Sequence, residues 1–287
     1  MSVESTIQWF PGHMTKARRM IAGDLKLVDA VCEIVDSRIP FSSRNPDLDE
    51  IISGKPRLIV LNRVDQADPE ASRLWVSFFR AGGTVVLETD SKSGKGVSGL
   101  PKALYTLLRV KLDYYASRGQ SGRKLRAMVV GIPNVGKSSF INRAAGRKAT
   151  VTSDKPGVTR GKQWIGIGRG LELLDTPGVL WPRFDNRNVA ENLAFTGAIR
   201  DEIMDVEALS ISLLTRMSEL FPERLSERYK LELNQEADGY KLLEQAAINR
   251  GFLLSGGSVD TGRMAAVLLD EFRGGKLGRV TLEKAIN

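Results

Sequence analysis

The sequence predicts an α/β fold, a mostly parallel sheet with helices on both faces, followed by a small all-α domain. Two observations predict it. Through the first two thirds of the chain, apolar runs of strand length alternate with helical patterns, which is typical of parallel strands joined by crossover helices. From about Asn188 onward only helical periodicity remains. A chain of 287 residues is long enough for such a domain and a smaller partner.

The elements follow in order along the chain. A basic helix is predicted at 16–27, and Asp68-Pro69 supplies a cap and a first-turn proline for a helix at 70–80. Further helices are predicted at 100–117 and 139–145, and strands at 31–35, 57–61, 84–87, 127–130, 163–167 and 171–174. We expect residues 1–22 to pack on the α/β domain as an N-terminal segment, residues 23–185 to form that domain, and residues 186–287 to form the helical domain.

Composition narrows the class of protein. With 42% hydrophobic and 26% charged residues, the chain falls in the globular class and outside the disordered one. A net charge of +8 draws in polyanions such as nucleic acid, nucleotides or anionic lipid. Cys32, the single cysteine, excludes an intrachain disulfide and is expected to be buried. No apolar run reaches the roughly 18 residues of a membrane-spanning helix, and the N-terminus lacks signal-peptide features, so we expect a cytoplasmic location.

A phosphate-binding loop is the most specific motif. Gly131-Ile-Pro-Asn-Val-Gly136-Lys137-Ser138 fits the pattern G-x-x-x-x-G-K-[ST] and lies between a predicted strand and a predicted helix, as the motif requires. Its glycines allow backbone N–H groups to turn toward a phosphate, Lys137 reaches the β- and γ-phosphates, and Ser138 holds Mg²⁺. The alternative, a glycine-rich turn with a chance lysine, is disfavoured by the flanking elements.

Two further residues complete a predicted magnesium site. Asp175, in Asp175-Thr-Pro-Gly178, follows a predicted strand and is placed to hold a magnesium-bound water, while the Gly178 N–H can meet the γ-phosphate. Thr159 lies between the two motifs and is predicted to be the switch threonine that binds Mg²⁺. The alternative for Thr159 is an ordinary loop threonine.

The base is predicted from Asn62-Arg63-Val64-Asp65, which resembles the Asn-Lys-x-Asp guanine motif. An aspartate at the last position can accept hydrogen bonds from guanine N1 and N2, which adenine does not offer, so GTP is favoured over ATP. Arg63 replaces the usual lysine, and its guanidinium can still lie over the purine plane. Asp90-Ser91, after the next predicted strand, occupies the place of the second guanine loop.

The order of these motifs is unusual. Ordinary G domains begin with the phosphate loop and end with the guanine motifs, whereas here 62–65 and 90–91 precede 131–138 and 175–178. Compact domains tolerate relocated termini, so the same sheet can form from a circularly permuted chain. The helical domain then follows directly after the Asp-x-x-Gly switch, and hydrolysis is expected to move it.

The chain resembles the YlqF-related family of circularly permuted GTPases. The likeness covers nearly the whole chain, including Trp9-Phe-Pro-Gly-His-Met14, the stretch 36–46, every motif above and the stretch 175–182. The resemblance implies a GTPase that binds a late precursor of the large ribosomal subunit and its rRNA, with hydrolysis linked to release and the helical domain contacting RNA. The nucleotide contacts that it implies are Asn62, Arg63, Val64, Asp65, Asp90, Ser91, Asn134, Val135, Gly136, Lys137, Ser138, Ser139 and Gly178.

The catalytic machinery has one conspicuous substitution. Val179 stands where ordinary small GTPases carry a water-orienting glutamine, and a valine cannot orient a water. The resemblance implies that another group does so: the single histidine, His13, a K⁺ ion near Asn134, or the ribosomal partner. The catalytic residues predicted are therefore Lys137, Thr159 and His13. A histidine in a turn is more often a capping or packed residue, and both interpretations of His13 stay open.

Basic residues suggest where RNA binds. They gather in three groups: Lys16, Arg18 and Arg19; Arg118, Arg123, Lys124 and Arg126; and Arg143, Arg147, Lys148, Lys155, Arg160 and Lys162. Charge runs are usually solvated. Arg38 and Arg44 are expected to be solvated or salt-bridged to a neighbour such as Asp36 or Asp47, and the alternative is that their stretch binds RNA or orders the switch. We expect a monomer with rRNA as its partner, and neither a DNA nor a membrane partner. The competing hypotheses are an RNA-binding scaffold with negligible turnover and a GTP-dependent regulator of another protein or a membrane surface.

Overall fold

A six-stranded sheet forms the centre of the α/β region in this computed structural model. The structure describes residues 12–120, 122–147, 149, 163–168, 170–182, 184–233 and 238–285, with side chains from Met14 onward. The strands are β1 (Ala30–Asp36), β2 (Arg57–Asn62), β3 (Val85–Thr89), β4 (Leu125–Val130), β5 (Gln163–Ile167) and β6 (Leu171–Asp175). All six predicted strands are confirmed.

The strand order is β3-β2-β1-β4-β6-β5, and only the pair β5 and β6 is antiparallel. Every residue of β1 is buried because helices cover both faces of a parallel sheet, which explains its continuous apolar sequence. The register pairs Asp36 with Asn62, Asn62 with Thr89, and Val129 with Asp175. The polar residues that end these strands therefore lie along one edge of the sheet.

The helices of the α/β region are α1 (Gly12–Asp24), α2 (Pro46–Ile51), α3 (Pro69–Ala81), α4 (Leu100–Leu107), α5 (Arg109–Ser117) and α6 (Lys137–Ala145). The predicted helices at 70–80 and 139–145 are confirmed, the helix predicted at 16–27 begins and ends earlier, and the helix at 46–51 was not predicted. The single helix predicted at 100–117 was wrong, because Leu108 interrupts it. Leu100, Leu104 and Leu108 are buried, whereas α5 has no buried residue, so core packing fixes only the first half of the segment.

The helical region comprises α7 (Arg187–Phe195), α8 (Val206–Leu220), α9 (Pro222–Tyr229), α10 (Gly239–Asn249) and α11 (Thr261–Arg273). Side-chain caps start four of these helices, since Asn186, Asp205, Asp238 and Asp260 each accept a hydrogen bond from a first-turn N–H. In the described part of this region, one isolated bridge between Leu253 and Val259 is the only β pairing. The division of the chain at residues 22 and 185 stays a prediction.

A buried carboxylate joins three of these helices. Glu271 on α11 accepts hydrogen bonds from Arg228 and from the hydroxyl of Tyr229, and it forms an ion pair with Arg250 at 3.3 Å. Burial by itself raises the pKa of Glu271, but the hydrogen bonds and the charge of Arg250 outweigh it and lower the pKa to about 2. The carboxylate therefore stays ionised and holds α9 and the end of α10 on α11.

The C-terminal strap, residues 277–285, leaves α11 and returns to the α/β region. Leu277, Val280 and Leu282 are buried along it. Its backbone is tied by hydrogen bonds from Val280 N to the Gln66 carbonyl at 2.9 Å and from Leu282 N to the Arg38 carbonyl at 2.8 Å. The sequence analysis did not predict this return.

The structure also bears on two further predictions, the burial of Cys32 and the lack of a membrane-spanning helix. Cys32 is buried in β1, as predicted, and burial raises the pKa of its thiol to about 12. Over the residues that the structure describes, every helix is too short or too polar to cross a membrane.

Candidate nucleotide-binding site

The predicted site residues converge on the carboxyl-terminal edge of the sheet. The loops that follow β2, β3, β4 and β6 carry the two guanine elements, the phosphate loop and the Asp-x-x-Gly motif, respectively. Ligands of open parallel sheets bind at this edge, because crossover loops open a crevice there. The strand order thus brings together motifs that lie more than a hundred residues apart, from Asn62 to Asp175.

The phosphate loop connects β4 to α6 and passes close to the guanine motif. Gly131 and Gly136 have φ values of 150° and 101°, which favour glycine. A Cβ on Gly136 would lie 2.4 Å from Nδ2 of Asn62, so no side chain fits at this position. The helix α6 begins at Lys137, and its N-terminal N–H groups and dipole favour an anion at this point.

Lys137 is buried at the first position of α6. Its Nζ donates to the carbonyl oxygens of Gly131 at 3.2 Å and Ile132 at 2.7 Å, so the side chain folds back over the loop. Burial lowers the pKa of Lys137 to about 8, against the opposing effect of the Asp175 charge. A phosphate would give this ammonium group a charged acceptor, which neutral carbonyls do not provide.

Asp175 has the environment of a cation ligand. Its Oδ1 is buried and has no hydrogen-bond partner among the described residues. Burial raises the pKa of Asp175 to about 6, although the Lys137 charge opposes the shift. A buried carboxylate oxygen without a donor is costly unless a cation or its water satisfies it. The chemistry of Asp175, with the Ser138 hydroxyl in α6, therefore fits a hydrated Mg²⁺ ion.

Gly178 brings the Asp-x-x-Gly loop against the phosphate loop. A Cβ on Gly178 would lie 2.7 Å from Pro133 N and 2.9 Å from Lys137 Nζ, so only glycine allows this approach. The next residue, Val179, donates its N–H to the Gly131 carbonyl at 3.2 Å, and its side chain is buried. Because Val179 is packed in the core, its side chain does not face a position where a nucleophilic water could lie.

Asn62 connects both guanine elements to the phosphate loop. Its Oδ1 accepts hydrogen bonds from Ser91 N at 3.1 Å, Ser91 Oγ at 2.7 Å and Thr89 Oγ1 at 3.2 Å. Its Nδ2 donates to the Val135 carbonyl at 2.9 Å. The oxygen of the buried Asn62 amide therefore holds the Ser91 loop, and its nitrogen holds the phosphate loop, so that both are fixed relative to the end of β2.

Arg63, which replaces the usual lysine, uses the extra donors of a guanidinium. Its backbone is left-handed, with φ 63°. The side chain donates to the Asn134 carbonyl at 2.8 Å and to the Arg273 carbonyl at 3.4 Å, and it lies 3.5 Å from the Asp36 carboxylate. An ammonium group could not make these separate contacts in one fixed geometry. The interpretation of Arg63 as a cover for the purine plane stays a prediction.

Two acids border the predicted base pocket. Asp65 is exposed, and desolvation, followed by the charge of Asp90, raises its pKa. Asp90 instead accepts hydrogen bonds from Lys92 N at 2.8 Å and Ser93 N at 3.2 Å, within its own loop. The exposed carboxylate of Asp65 is thus open to the two N–H groups of a guanine edge, whereas Asp90 is engaged within its own loop.

Several predicted residues receive no structural description. Thr159, Lys148, Lys155, Arg160 and Lys162 lie outside the described residues, as does the side chain of His13 in the first turn of α1. Val64, Ser138 and Ser139 lie at the same sheet edge as the residues above. The Asn134 side chain donates from Nδ2 to the Gly197 carbonyl at 2.7 Å, which joins the phosphate loop to the turn after α7.

The arginines of the stretch 36–46 are paired. Arg38 is fully buried, and its side chain forms two hydrogen bonds with Asp36, at 2.9 and 2.7 Å, as the sequence analysis expected. Arg44 contacts Asp49 at 2.9 Å and Glu33 at 3.5 Å, so it is salt-bridged to neighbouring acids as expected, although Asp47 is not one of them. Asp47 pairs with Arg18 on α1 instead.

Sequence reasoning missed the helical-domain residues that contact the site. The Arg273 carbonyl accepts a hydrogen bond from Arg63. The strap residues Arg279 and Thr281 form hydrogen bonds with the loop that carries Asp65. No motif marks these residues. The only signal was the break in helical periodicity after Gly274-Gly275, which showed that the last helix ends before the chain does.

Comparisons with known proteins agree with this arrangement. A family model described as 50S ribosome-binding GTPase matches residues 126–230, which include the phosphate loop and the Asp-x-x-Gly motif. A protein of Bacillus cereus called ribosome biogenesis GTPase A is 46% identical over 96% of this chain and 93% of its own length. A protein of the same name from Thermotoga maritima is 32% identical over 97% of this chain and 94% of its own.

Solved structures give the same result for the fold. GDP-bound TM YlqF superposes with a TM-score of 0.70 and 28% identity, covering 93% of this chain and 99% of the other. GNP-bound YlqF from T. maritima superposes with a TM-score of 0.66 and 30% identity, covering 94% and 98%. The predicted fold, a circularly permuted P-loop GTPase domain followed by an all-α region, is confirmed.

Proposed function

The chain belongs to the ribosome biogenesis GTPase A family, and on that premise we propose that it binds a late precursor of the large ribosomal subunit and couples GTP hydrolysis to its maturation and release. The proposal rests on Lys137, on the Asp175 oxygen that has no partner in the described part of the chain, and on the Asn62 network, all at one sheet edge. The relatives are named for ribosome biogenesis, and the site has the chemistry of a GTPase.

The phosphate chemistry follows from the residues of the crevice. Backbone N–H groups of residues 134–139 cradle the β-phosphate, and Lys137 moves from the loop carbonyls to the β- and γ-phosphates. Ser138, Thr159 and Asp175, the last through water, would hold Mg²⁺, which supplies charge neutralisation for the developing phosphate charge. Gly178, already against the phosphate loop, places its N–H near the γ-phosphate.

Base identity is read by Asp65. Its carboxylate accepts two hydrogen bonds from guanine N1 and N2, which also relieve the repulsion between Asp65 and Asp90. Asn62 holds the Ser91 loop and the phosphate loop, so that base and phosphates are bound by one connected frame. Ser91, and Asp90 through its loop geometry, complete the pocket around the base.

Water activation needs a group other than Val179. The geometry leaves this valine in the core, so intrinsic turnover is expected to be slow. We propose that His13 orients the attacking water in the complex with the ribosomal particle, and that a K⁺ ion bound near Asn134 stimulates the reaction. The α1 helix packs on this region, since Met14 is buried and its sulfur lies 3.3 Å from Leu180 N.

Replacing His13 with alanine is expected to abolish the stimulation of GTP hydrolysis by large ribosomal subunits while leaving GDP affinity unchanged. The reason is that the imidazole acts on the water and makes no contact needed to bind nucleotide. Stimulated turnover and GDP affinity should be measured on the same preparation. Wild-type stimulation in the variant would remove His13 from the mechanism.

RNA contact is proposed for the basic group around α5 and β4. Arg118 lies over the Tyr114 ring at 5.3 Å and Arg123 over the Tyr115 ring at 4.8 Å, and Arg118, Tyr114 and Arg123 are exposed. Stacked guanidinium and aromatic groups in a positive surface suit the phosphates and bases of unpaired RNA. The second basic group, not the acid-rich helical region, is therefore the better supported RNA surface.

GTP turnover with and without purified large subunits, in potassium buffer, tests the proposed function. We expect slow turnover alone and a stimulation of at least about tenfold with subunits. The competing function is an RNA-binding scaffold that senses GTP with negligible turnover, which the buried Val179 favours. Equal rates with and without subunits would contradict the assembly GTPase and leave the scaffold.

A further inference from the structure

The loop that carries Asp65, residues 64–68, is bonded by three consecutive strap residues, Arg279, Val280 and Thr281. Arg279 donates from Nε to the Ala67 carbonyl at 2.9 Å and from a terminal nitrogen to the Val64 carbonyl at 2.8 Å. Val280 N donates to the Gln66 carbonyl at 2.9 Å. The strap thereby satisfies three carbonyls on the loop that carries Asp65.

The next strap residue fixes the other end of this loop. The Thr281 hydroxyl accepts from Asp68 N at 3.1 Å and donates to the Ser37 carbonyl at 3.0 Å. Asp68 is also the cap of α3. Four backbone groups of this loop, the carbonyls of Val64, Gln66 and Ala67 and the N–H of Asp68, are therefore bonded by a segment more than two hundred residues away in sequence.

The end of α11 supports the same loop. A Cβ on Gly275 would lie 2.8 Å from Cγ of Gln66, and its φ of +76° favours glycine. Arg63 of the guanine motif donates to the Arg273 carbonyl, one of the carbonyls that an α-helix leaves unpaired at its C-terminus. The guanine motif is thus held by the helical region both through Arg63 and through the strap.

The strap is itself anchored beyond the loop. Glu283 accepts hydrogen bonds from Phe41 N at 2.6 Å and from Nδ2 of Asn192 on α7 at 2.8 Å. The indole N–H of Trp75 donates to the Glu283 carbonyl at 3.2 Å. Because α7 is the first helix after the Asp-x-x-Gly motif, the strap connects the base-reading loop to the element next to the γ-phosphate switch.

We propose that Arg279 and Thr281 are positioning residues for guanine recognition, and that the C-terminal strap completes the base-binding site by holding Asp65 in register with the base. This inference rests on the proposed function, since it concerns the same nucleotide site. Two hydrogen bonds from guanine to one carboxylate require a fixed loop, because a small displacement breaks one bond before the other. The strap supplies that fixation.

Inosine diphosphate is the informative probe because it lacks the 2-amino group of GDP. If the strap positions Asp65 for both hydrogen bonds, Arg279→Ala should weaken GDP binding by about tenfold and inosine diphosphate binding by less than about threefold. The GDP preference over inosine diphosphate would then fall. A general loss of stability would weaken both nucleotides by the same factor, so the ratio separates positioning from structure.

The variants can be matched within the chain. Arg279 is exposed, so its removal leaves the core intact. Arg263→Ala is the control, since Arg263 is an exposed arginine of the same region that stacks on Phe252 at 4.4 Å. Thr281→Val, which keeps the side-chain shape but removes the hydroxyl, should lower the same ratio by a second route. Circular dichroism and thermal unfolding establish that each variant is folded.

Titration of each protein with both nucleotides decides the matter. A reduced GDP preference in Arg279→Ala and Thr281→Val, with Arg263→Ala equal to wild type, is the expected result. Unchanged affinities, or losses of equal size for both nucleotides, would overturn the positioning role while the GTPase function stands. A wild-type protein that binds no GDP would overturn the proposed function, and this inference with it.

Discussion

Replacing Lys137 with alanine is expected to lower the rate of GTP hydrolysis by about 100-fold to 1,000-fold, measured as single turnover with large subunits present. Lys137 is buried, its pKa is lowered to about 8, and it is held by two loop carbonyls. Among the residues that the structure describes, no carboxylate is bonded to this ammonium group, and a charge in such a site is poised for an anionic ligand. Its removal would take away the donor that we propose acts on the β- and γ-phosphates as charge develops there.

The control for Lys137 is Lys102→Ala on α4, an exposed lysine whose removal should change turnover by less than about twofold. GDP affinity should fall with Lys137→Ala as well, because the β-phosphate loses its ammonium partner. Turnover within about threefold of wild type would show that Lys137 is not the phosphate-binding lysine. Thermal unfolding of the variant accounts for any loss of folded protein.

Replacing Asp65 with asparagine is expected to lower GDP affinity by about 100-fold and to raise the affinity for xanthosine diphosphate above that for GDP. An asparagine presents one oxygen and one NH₂ group, so a donor faces the guanine 2-amino group. Xanthine carries an oxygen at that position, which the NH₂ group can bond. The reversal of preference, rather than the loss alone, identifies Asp65 as the base-reading residue.

Asp113→Asn on α5 is the matched control, since Asp113 is exposed and distant in sequence from every guanine element. Its nucleotide preference should equal that of wild type. If Asp65→Asn bound GDP and xanthosine diphosphate with the wild-type preference, the base would be read elsewhere, and Asp90 would be the next residue to test.

The sequence was sufficient for the sheet and for the positions of the motifs. Continuous apolar runs fixed the strands because a sheet covered on both faces needs them, and the phosphate loop was recognisable because its glycines and lysine have fixed spacing. The break at Leu108 was missed, since the pattern of leucines continues through it and only the loss of burial in α5 ends the regular packing.

The contacts between the helical region and the site could not be predicted from the sequence. Arg279 and Thr281 form hydrogen bonds with backbone atoms of the loop that carries Asp65. Every residue type has these backbone atoms, so the sequence of the loop does not indicate that the contacts exist. The burial of Arg38 was likewise not predictable from the sequence. Pairing with Asp36 was predictable from their proximity in sequence, but its burial against the end of α11 depends on tertiary packing. The magnesium-binding role of Thr159 and the water-orienting role of His13 stay predictions from the sequence.

The central claim is that nucleotide state controls association with the large ribosomal subunit, and sedimentation of the protein with large-subunit particles tests it most directly. The particles should be incubated with protein in the presence of a non-hydrolysable GTP analogue or of GDP and then centrifuged through sucrose. The account predicts that the protein sediments with the particles in the analogue state and is released in the GDP state. Equal association in both states, or none in either, would contradict it.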